Sequence, residues 1–352
     1  MVMNRLTGAA RVVPHARFWL LLASLAALVL ACGQGGSRPA GGDAAAPAPR
    51  KLTFMAGFKP QANLPFVGAY VAQEKGFFKE LGVDVDIRHA QSGEHLQLLL
   101  AGEVQVATAN AANVVQRVAD GLPLVAIALV GQKSEQGFAV GANSGIGSVR
   151  DWAGKRLGYK GTVPVEFLAI AKANGLDPAK VDQVKVGFDP RVLSEKQVDI
   201  LAVFVSNEPG QLQRIGYPVK VFDPSDYDIP ALGLTYIASR DGIAKDREAI
   251  ERFLRGALRG IEYASTHVEE ALDIVMKYAP QEDRDQQRYM LTTELARAMS
   301  DSVASHGYGW QTLDQWRALT DALVEFGAVT KPVDPAQTFT TEFLERIYAK
   351  RN

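Results

Sequence analysis

The sequence predicts an α/β fold in two lobes, one inserted into the other, and three observations carry it. From Lys51 onward short strand-like runs alternate with helical patterns; the rhythm restarts near Arg156; and beyond Ala238 the pattern turns wholly helical. Strands alternating with helices specify parallel-rich sheets covered on both faces. Helices with apolar stripes and no sheet of their own must pack on one already formed. The expected division is therefore lobe I over residues 51–140 and 236–352 and lobe II over 141–235, with crossing segments near 139–143 and 231–239 that form a two-segment hinge. At 352 residues and 47% hydrophobic, the chain has ample apolar surface for such cores.

Each element has its own signal. Leu52-Thr53-Phe54-Met55 reads as a strand, and a helix opens near Pro65 with Phe66, Val67, Tyr70 and Val71 on one stripe and stops at Gly76. Val83, Val85 and Ile87 alternate with Asp84, Asp86 and Arg88, the period of a half-buried strand. A short helix (94–101), a strand (104–108), a helix (111–120) and a buried strand (124–130) follow. In the second run, strands are expected at 156–159, 184–187, 200–205 and 219–222, with helices at 164–174, 192–196 and 211–215 between them. A strand at 232–238 returns to the first lobe. Ile250, Phe253, Leu254, Ala257, Leu258 and Ile261 then fall at helical spacing, and further helices are expected near 268–279, 284–301, 312–326 and 340–350, all covering lobe I.

The first fifty residues read as an address. Arg5, Arg11 and Arg17 with no acidic residue precede the apolar run Phe18 to Ala31, an n-region and an h-region of fourteen residues. That run is short for a hydrocarbon core about 30 Å thick, and nothing later approaches twenty consecutive apolar residues. It ends Leu28-Val29-Leu30-Ala31-Cys32, which resembles the bacterial lipobox, so residues 1–31 are read as a lipoprotein signal peptide and Cys32 as the lipidated residue. Gly, Ala, Pro and Ser dominate 33–50, a composition that cannot bury enough surface to fold, and 32–50 is read as a flexible tether.

Composition excludes several functions. Lys+Arg 38 against Asp+Glu 39 leaves a net charge of -1, and cleavage before Cys32 leaves 35 basic against 39 acidic residues, a net of -4. That balance argues against a nucleic-acid partner. A single cysteine excludes a disulfide scaffold, a thiolate zinc site and a CxxC redox pair. No H-E-x-x-H, G-x-S-x-G or Walker loop occurs, and no G-x-G-x-x-G follows a strand. His89 and His95 lie near the expected cleft without an obvious third ligand, so no metal, cofactor or catalytic residue is expected.

Four stretches resemble the substrate-binding proteins of ABC importers, in the superfamily that includes the thiamine-pyrimidine, riboflavin, sulfonate and nitrate receptors. They are Gly68-Ala69-Tyr70-Val71-Ala72 through Glu74-Lys75-Gly76-Phe77-Phe78, Gly145-Ile146 with Asp151-Trp152-Ala153-Gly154-Lys155-Arg156, Ser206-Asn207-Glu208-Pro209, and Asp226-Tyr227. The resemblance spans about residues 51 to 345; the first two stretches are shared widely, while the last two resemble the pyrimidine and flavin branch. It implies a periplasmic-binding-protein type II fold. It also implies a monomeric, lipid-anchored, extracytoplasmic receptor that takes a small molecule and delivers it to a membrane permease with an ATPase. A sulfonate, taurine or nitrate receptor is the alternative within the class. An enzyme alternative is the related pyrimidine synthase, which depends on iron and a cysteine-rich segment that this chain lacks.

In open α/β sheets ligands bind beyond the carboxyl ends of the strands. This selects the loops 58–63, 91–95, 108–110, 131–133, 160–164 and 204–208, and from them and the resembling stretches the candidates Phe58, Asn63, Phe66, Ser92, Thr108, Asn110, Gln132, Thr162, Phe204, Asn207, Glu208 and Tyr227. The loops contain no arginine fork for an oxyanion. Glu208, Asn63 and Asn207 offer acceptors for a planar heterocycle bearing N–H groups, with Phe58 or Phe204 against its face. Structural readings stand beside these: Asn63 and Asn110 as helix caps, Glu208 on a helix dipole, the phenylalanines as core, and 161–164 as an ordinary strand-to-helix turn.

Overall fold

The structure, a computed structural model, describes residues 49–349 with the exception of Ser92. The expected signal peptide, Cys32, nearly all of the tether and Ser92 lie outside the described residues.

The first run of elements follows the sequence pattern closely. β1 (Arg50–Ala56) leads to α1 (Leu64–Glu74) and the single turn α2 (Phe77–Glu80), then β2 (Val83–His89), α3 (His95–Ala101), β3 (Val106–Asn110), α4 (Ala111–Ala119) and β4 (Leu124–Leu129). The second run comprises β5 (Gln136–Gly141), β6 (Arg156–Tyr159), α5 (Val165–Ala173), β7 (Asp182–Lys185), α6 (Arg191–Ser194), β8 (Ile200–Phe204), α7 (Glu208–Arg214) and β9 (Val219–Phe222). β10 (Leu234–Ser239) returns to the first sheet and α8 (Arg240–Thr266) begins the tail, continued by α9 (Val268–Tyr278), α10 (Arg284–Arg297), α11 (Asp301–His306), α12 (Leu313–Glu325) and α13 (Glu342–Tyr348).

The two sheets share one plan. Their orders are β2-β1-β3-β10-β4 and β7-β6-β8-β5-β9, and in each the fourth strand alone is antiparallel to its neighbours. That strand is the first one laid down after a crossing: β5 opens lobe II and β10 reopens lobe I. β1 and β2 pair in parallel register, Leu52 opposite Val85 and Phe54 opposite Ile87. Phe54, Tyr236 and Phe253 pack against one another beneath the first sheet, and Trp152 fills lobe II against Phe138, Phe167 and Phe222. All six apolar positions expected on the stripe of α8 are buried.

Three expectations are corrected. The lobe boundary at 140/141 falls inside β5, whose residues pair with β8 and β9, so the first crossing is 130–135 and the second 228–233. β5 carries little strand signal because Gly137 and Gly141 interrupt it. A Cβ on Gly137 would press Val205 at 2.7 Å and Val221 at 3.1 Å, so close packing requires that glycine. The helix expected over 284–301 ends at Arg297, because the Ser300 side chain accepts from the Val303 N–H at 3.2 Å and caps α11 instead. Finally, the tail does not cover lobe I alone: α10 packs against α7 of lobe II as well as α1 and α9.

Candidate functional site

The carboxyl ends of β1, β3 and β8 converge on a cavity of about 370 Å³ between the lobes, closed on one side by Met290 of α10. Of the expected residues, Phe58, Asn63, Phe66, Thr108, Asn110, Phe204, Asn207 and Glu208 line it. Gln132, Thr162 and Tyr227 are not among its lining residues. Gln132 is buried and fully engaged: its amide donates to the Leu129 and Trp310 carbonyls, each at 2.9 Å, and its oxygen accepts from Ser300 and Gln315. Thr162 stands exposed on its turn, and Tyr227 packs against the apolar core of lobe II.

On the lobe I side the amides serve the fold. Asn110 accepts from the Ala112 N–H at 2.9 Å and caps α4. Asn63 occupies the cap position of α1, but its side chain makes no capping bond; it accepts from Gln61 and donates to Glu294. Glu294, reaching over from α10, accepts the Leu64 N–H at 2.6 Å and so occupies the positive end of α1. The Thr108 hydroxyl accepts from the Gly57 N–H at 2.9 Å, which leaves its own proton directed elsewhere.

On the lobe II side Glu208 opens α7. One carboxylate oxygen pairs with the Lys160 ammonium and the other accepts the Phe204 N–H at 2.7 Å; the side chains are only 3% and 11% exposed. Lys160 is thus already neutralised. Asn207 accepts from Gln211 at 2.8 Å and from Gln286 of α10 at 3.0 Å. Three aromatic rings stand at the mouth, Phe58 from lobe I (53% exposed) and Phe188 and Phe204 from lobe II (80% and 46%).

Sequence reasoning missed Glu135, Phe188 and Met290 as lining residues, and it set Gln61 and His95 in cleft loops without making them candidates. Glu135 follows the buried strand by five residues and had only a charge in a loop to announce it. It is wholly buried, and burial with the neighbouring Glu294 pushes its carboxyl up to about 8. Burial likewise pushes Glu294 up to about 7. Burial holds His95 below the usual imidazole range, and its Nδ1 is buried without a partner.

Two α/β lobes enclosing a cavity at their strand ends have the architecture of a periplasmic binding protein, and solved structures agree. The periplasmic aliphatic sulphonate binding protein SsuA from Escherichia coli superposes with a TM-score of 0.63 at 17% identity, covering 82% of this chain and 91% of that one, a likeness of fold. Residues 63–271 match the family described as NMT1/THI5 like, and the chain belongs to it. It is 28% identical over 323 residues to the riboflavin-binding protein RibY of Chloroflexus aurantiacus, covering 87% of this chain and 91% of RibY. Over 303 residues it is 25% identical to the formylaminopyrimidine-binding protein of Halalkalibacterium halodurans, covering 82% and 89%.

Proposed function

We propose that the chain is the extracytoplasmic receptor of an ABC importer and holds a small planar heterocycle, flavin or aminopyrimidine in kind, between its lobes. The observation that carries the choice of ligand is the occupancy of three helix ends at the cavity, those of α1, α4 and α7. Glu294 fills the start of α1, Asn110 caps α4, Glu208 stands in the first turn of α7, and Glu208 also neutralises Lys160. An oxyanion would meet carboxylates where it needs free N–H donors. A flat neutral ring instead finds Phe58 on one lobe and Phe188 and Phe204 on the other, and a volume at the lower end of the usual range for ligand pockets. The two relatives whose names state a flavin and an aminopyrimidine support the same reading. The relatives matched over most of their length, RibY and the formylaminopyrimidine-binding protein, favour a receptor over the synthase.

Thermal-shift and calorimetric titration with riboflavin and formylaminopyrimidine, against taurine, alkanesulfonates and nitrate, test the ligand class. A heterocycle should bind and raise the melting temperature. Glu208→Gln should then weaken it about 10- to 150-fold, the equivalent of about 1.5 to 3 kcal/mol for a charged acceptor. A response to sulfonates or nitrate alone overturns the proposal.

Membrane attachment belongs to the same proposal. Cys32 after Ala31, with a Gly-, Ala- and Pro-rich tether behind it, suits a lipidated first residue, and two or more acyl chains at about 0.8 kcal/mol per buried CH₂ make detachment negligible. Cys32→Ala should yield an unprocessed or released protein on membrane fractionation. Normal processing and retention in that variant would refute the anchor.

A further inference from the structure

Glu135 sits where the hinge and the cavity meet. Its Oε1 accepts the Leu234 N–H of the returning strand at 2.8 Å. The carboxyl is lodged against two glycines of the crossings, Gly131 and Gly233, which are bonded to each other at 2.9 Å; a Cβ on either would strike Oε1, at 3.1 and 2.7 Å. Among the described residues Oε2 has only the Asn110 amide, at 3.5 Å, too long for a firm hydrogen bond. The residue itself lines the cavity.

The charges around it do not balance if every acid is ionised. Glu135, Glu294 and Asp223 share Arg297, which gives its terminal nitrogens to Asp223 and to the Ser134 carbonyl. On the lobe II side Lys160 is committed to Glu208, and burial disfavours the charged form of His95. Burying two uncompensated carboxylates is far costlier than binding a proton. Glu294 is the better anion, with donors from Asn63, Leu64 and Ser206, and Asp223 has Arg297 and the Ser225 N–H. The proton falls to Glu135, and its upward shift to about 8 agrees.

Resting on the binding reading above, we propose that Glu135 is a specificity-determining residue, a neutral carboxylic acid whose Oε2–H donates to a ring nitrogen or carbonyl oxygen of the ligand. The ligand must then carry an acceptor facing the hinge, and binding to protein ionised at Glu135 takes up one proton from solvent.

The test is titration calorimetry of the purified protein with riboflavin, or with formylaminopyrimidine if riboflavin is not bound, from pH 6 to 9 in buffers of different ionisation enthalpy. The dissociation constant should rise as pH passes through the Glu135 titration, approaching about tenfold per pH unit above it, with matching proton uptake. Glu135→Gln, which donates an N–H at every pH, should give a flat profile. Glu294→Gln, with one repelling neighbour removed, should move the onset of weakening to lower pH, which a merely structural role would not do. A flat profile in the unsubstituted protein while the ligand binds overturns this proposal and leaves the receptor reading standing. If neither probe binds at any pH, the heterocycle reading fails, and infrared difference spectra at pH 7 decide the protonation: a protonated-carboxyl band lost in Glu135→Gln supports a neutral Glu135, and no such band overturns it.

Discussion

Burial drives the ionisation of Glu135 and Glu294 in one direction, and stability must follow. Both carboxyls titrate near 4.5 when unfolded and at about 8 and about 7 when folded. The stability they contribute is fully present below the unfolded value and is lost as pH rises through the folded values. His89 and His95 are lowered by burial, so they act oppositely, favouring the fold as pH rises, but only up to their ordinary 6.5. Asp199 and Asp223, held below the usual carboxylate range chiefly by Arg156 and, against burial, by Arg297, matter only in acid. Between pH 6.5 and 8 the buried glutamates therefore dominate, at about 1.4 kcal/mol per pH unit for each proton retained. Scanning calorimetry should show the melting temperature falling across that window, with a shallower fall in Glu294→Gln; a level or rising profile would refute the assignment. The same residues mark what the sequence could not disclose. Asn63 before Leu64-Pro65 has every mark of a helix cap, yet the bond that caps α1 comes from Glu294, 230 residues away. Local spacing identifies a vacancy at a helix end, and tertiary structure decides which side chain fills it.

At the scale of elements, legibility followed burial pattern. β2, with alternating exposure, and α8, with a stripe of six buried positions, are visible in the sequence because one face of each meets a core. β5 is not, because Gly137 serves close packing against Val205 and Val221 and Gly141 against Tyr217, and the two leave a run too weak to distinguish from a hinge. Missing that one strand displaced the first crossing by several residues. The hinge consequently hid Glu135, which a boundary at 130–135 would have set directly at the cleft. The cavity loops after β1, β3 and β8 were legible, since the carboxyl-end rule needs only strand order and direction. Gln132 and Thr162 satisfy that rule too, but Gln132 turns inward to bind Trp310 and Ser300, and Thr162 faces solvent. Loop position nominates residues; side-chain direction selects among them.

At the scale of the molecule, α10 makes the two lobes more than a pair joined by two strands of chain. Its Gln286 donates to the Asn207 carbonyl and its Tyr289 hydroxyl to the Val205 carbonyl, both at 3.0 Å, and Glu294 accepts from Ser206. Its carboxyl end is bonded to the first crossing, the Arg297 carbonyl accepting from the Gln132 N–H at 3.1 Å and the guanidinium donating to Ser134. These bonds form a seam between α10, lobe II and the first crossing. Two further interlobe ion pairs, Lys172 with Glu325 and Arg214 with Asp283, are largely exposed, so solvent screens them and each contributes at most about 1 kcal/mol. Arg297 and Asp223 are mostly buried, and Arg297→Met strands Asp223 without its counter-charge, a loss of about 3 to 5 kcal/mol. Chemical denaturation of Arg297→Met and Lys172→Ala compares the two sites: the first should lose several times the stability of the second. Equal losses would mean that the seam along α10 does not bind the lobes together, and that the two crossings alone set their relation.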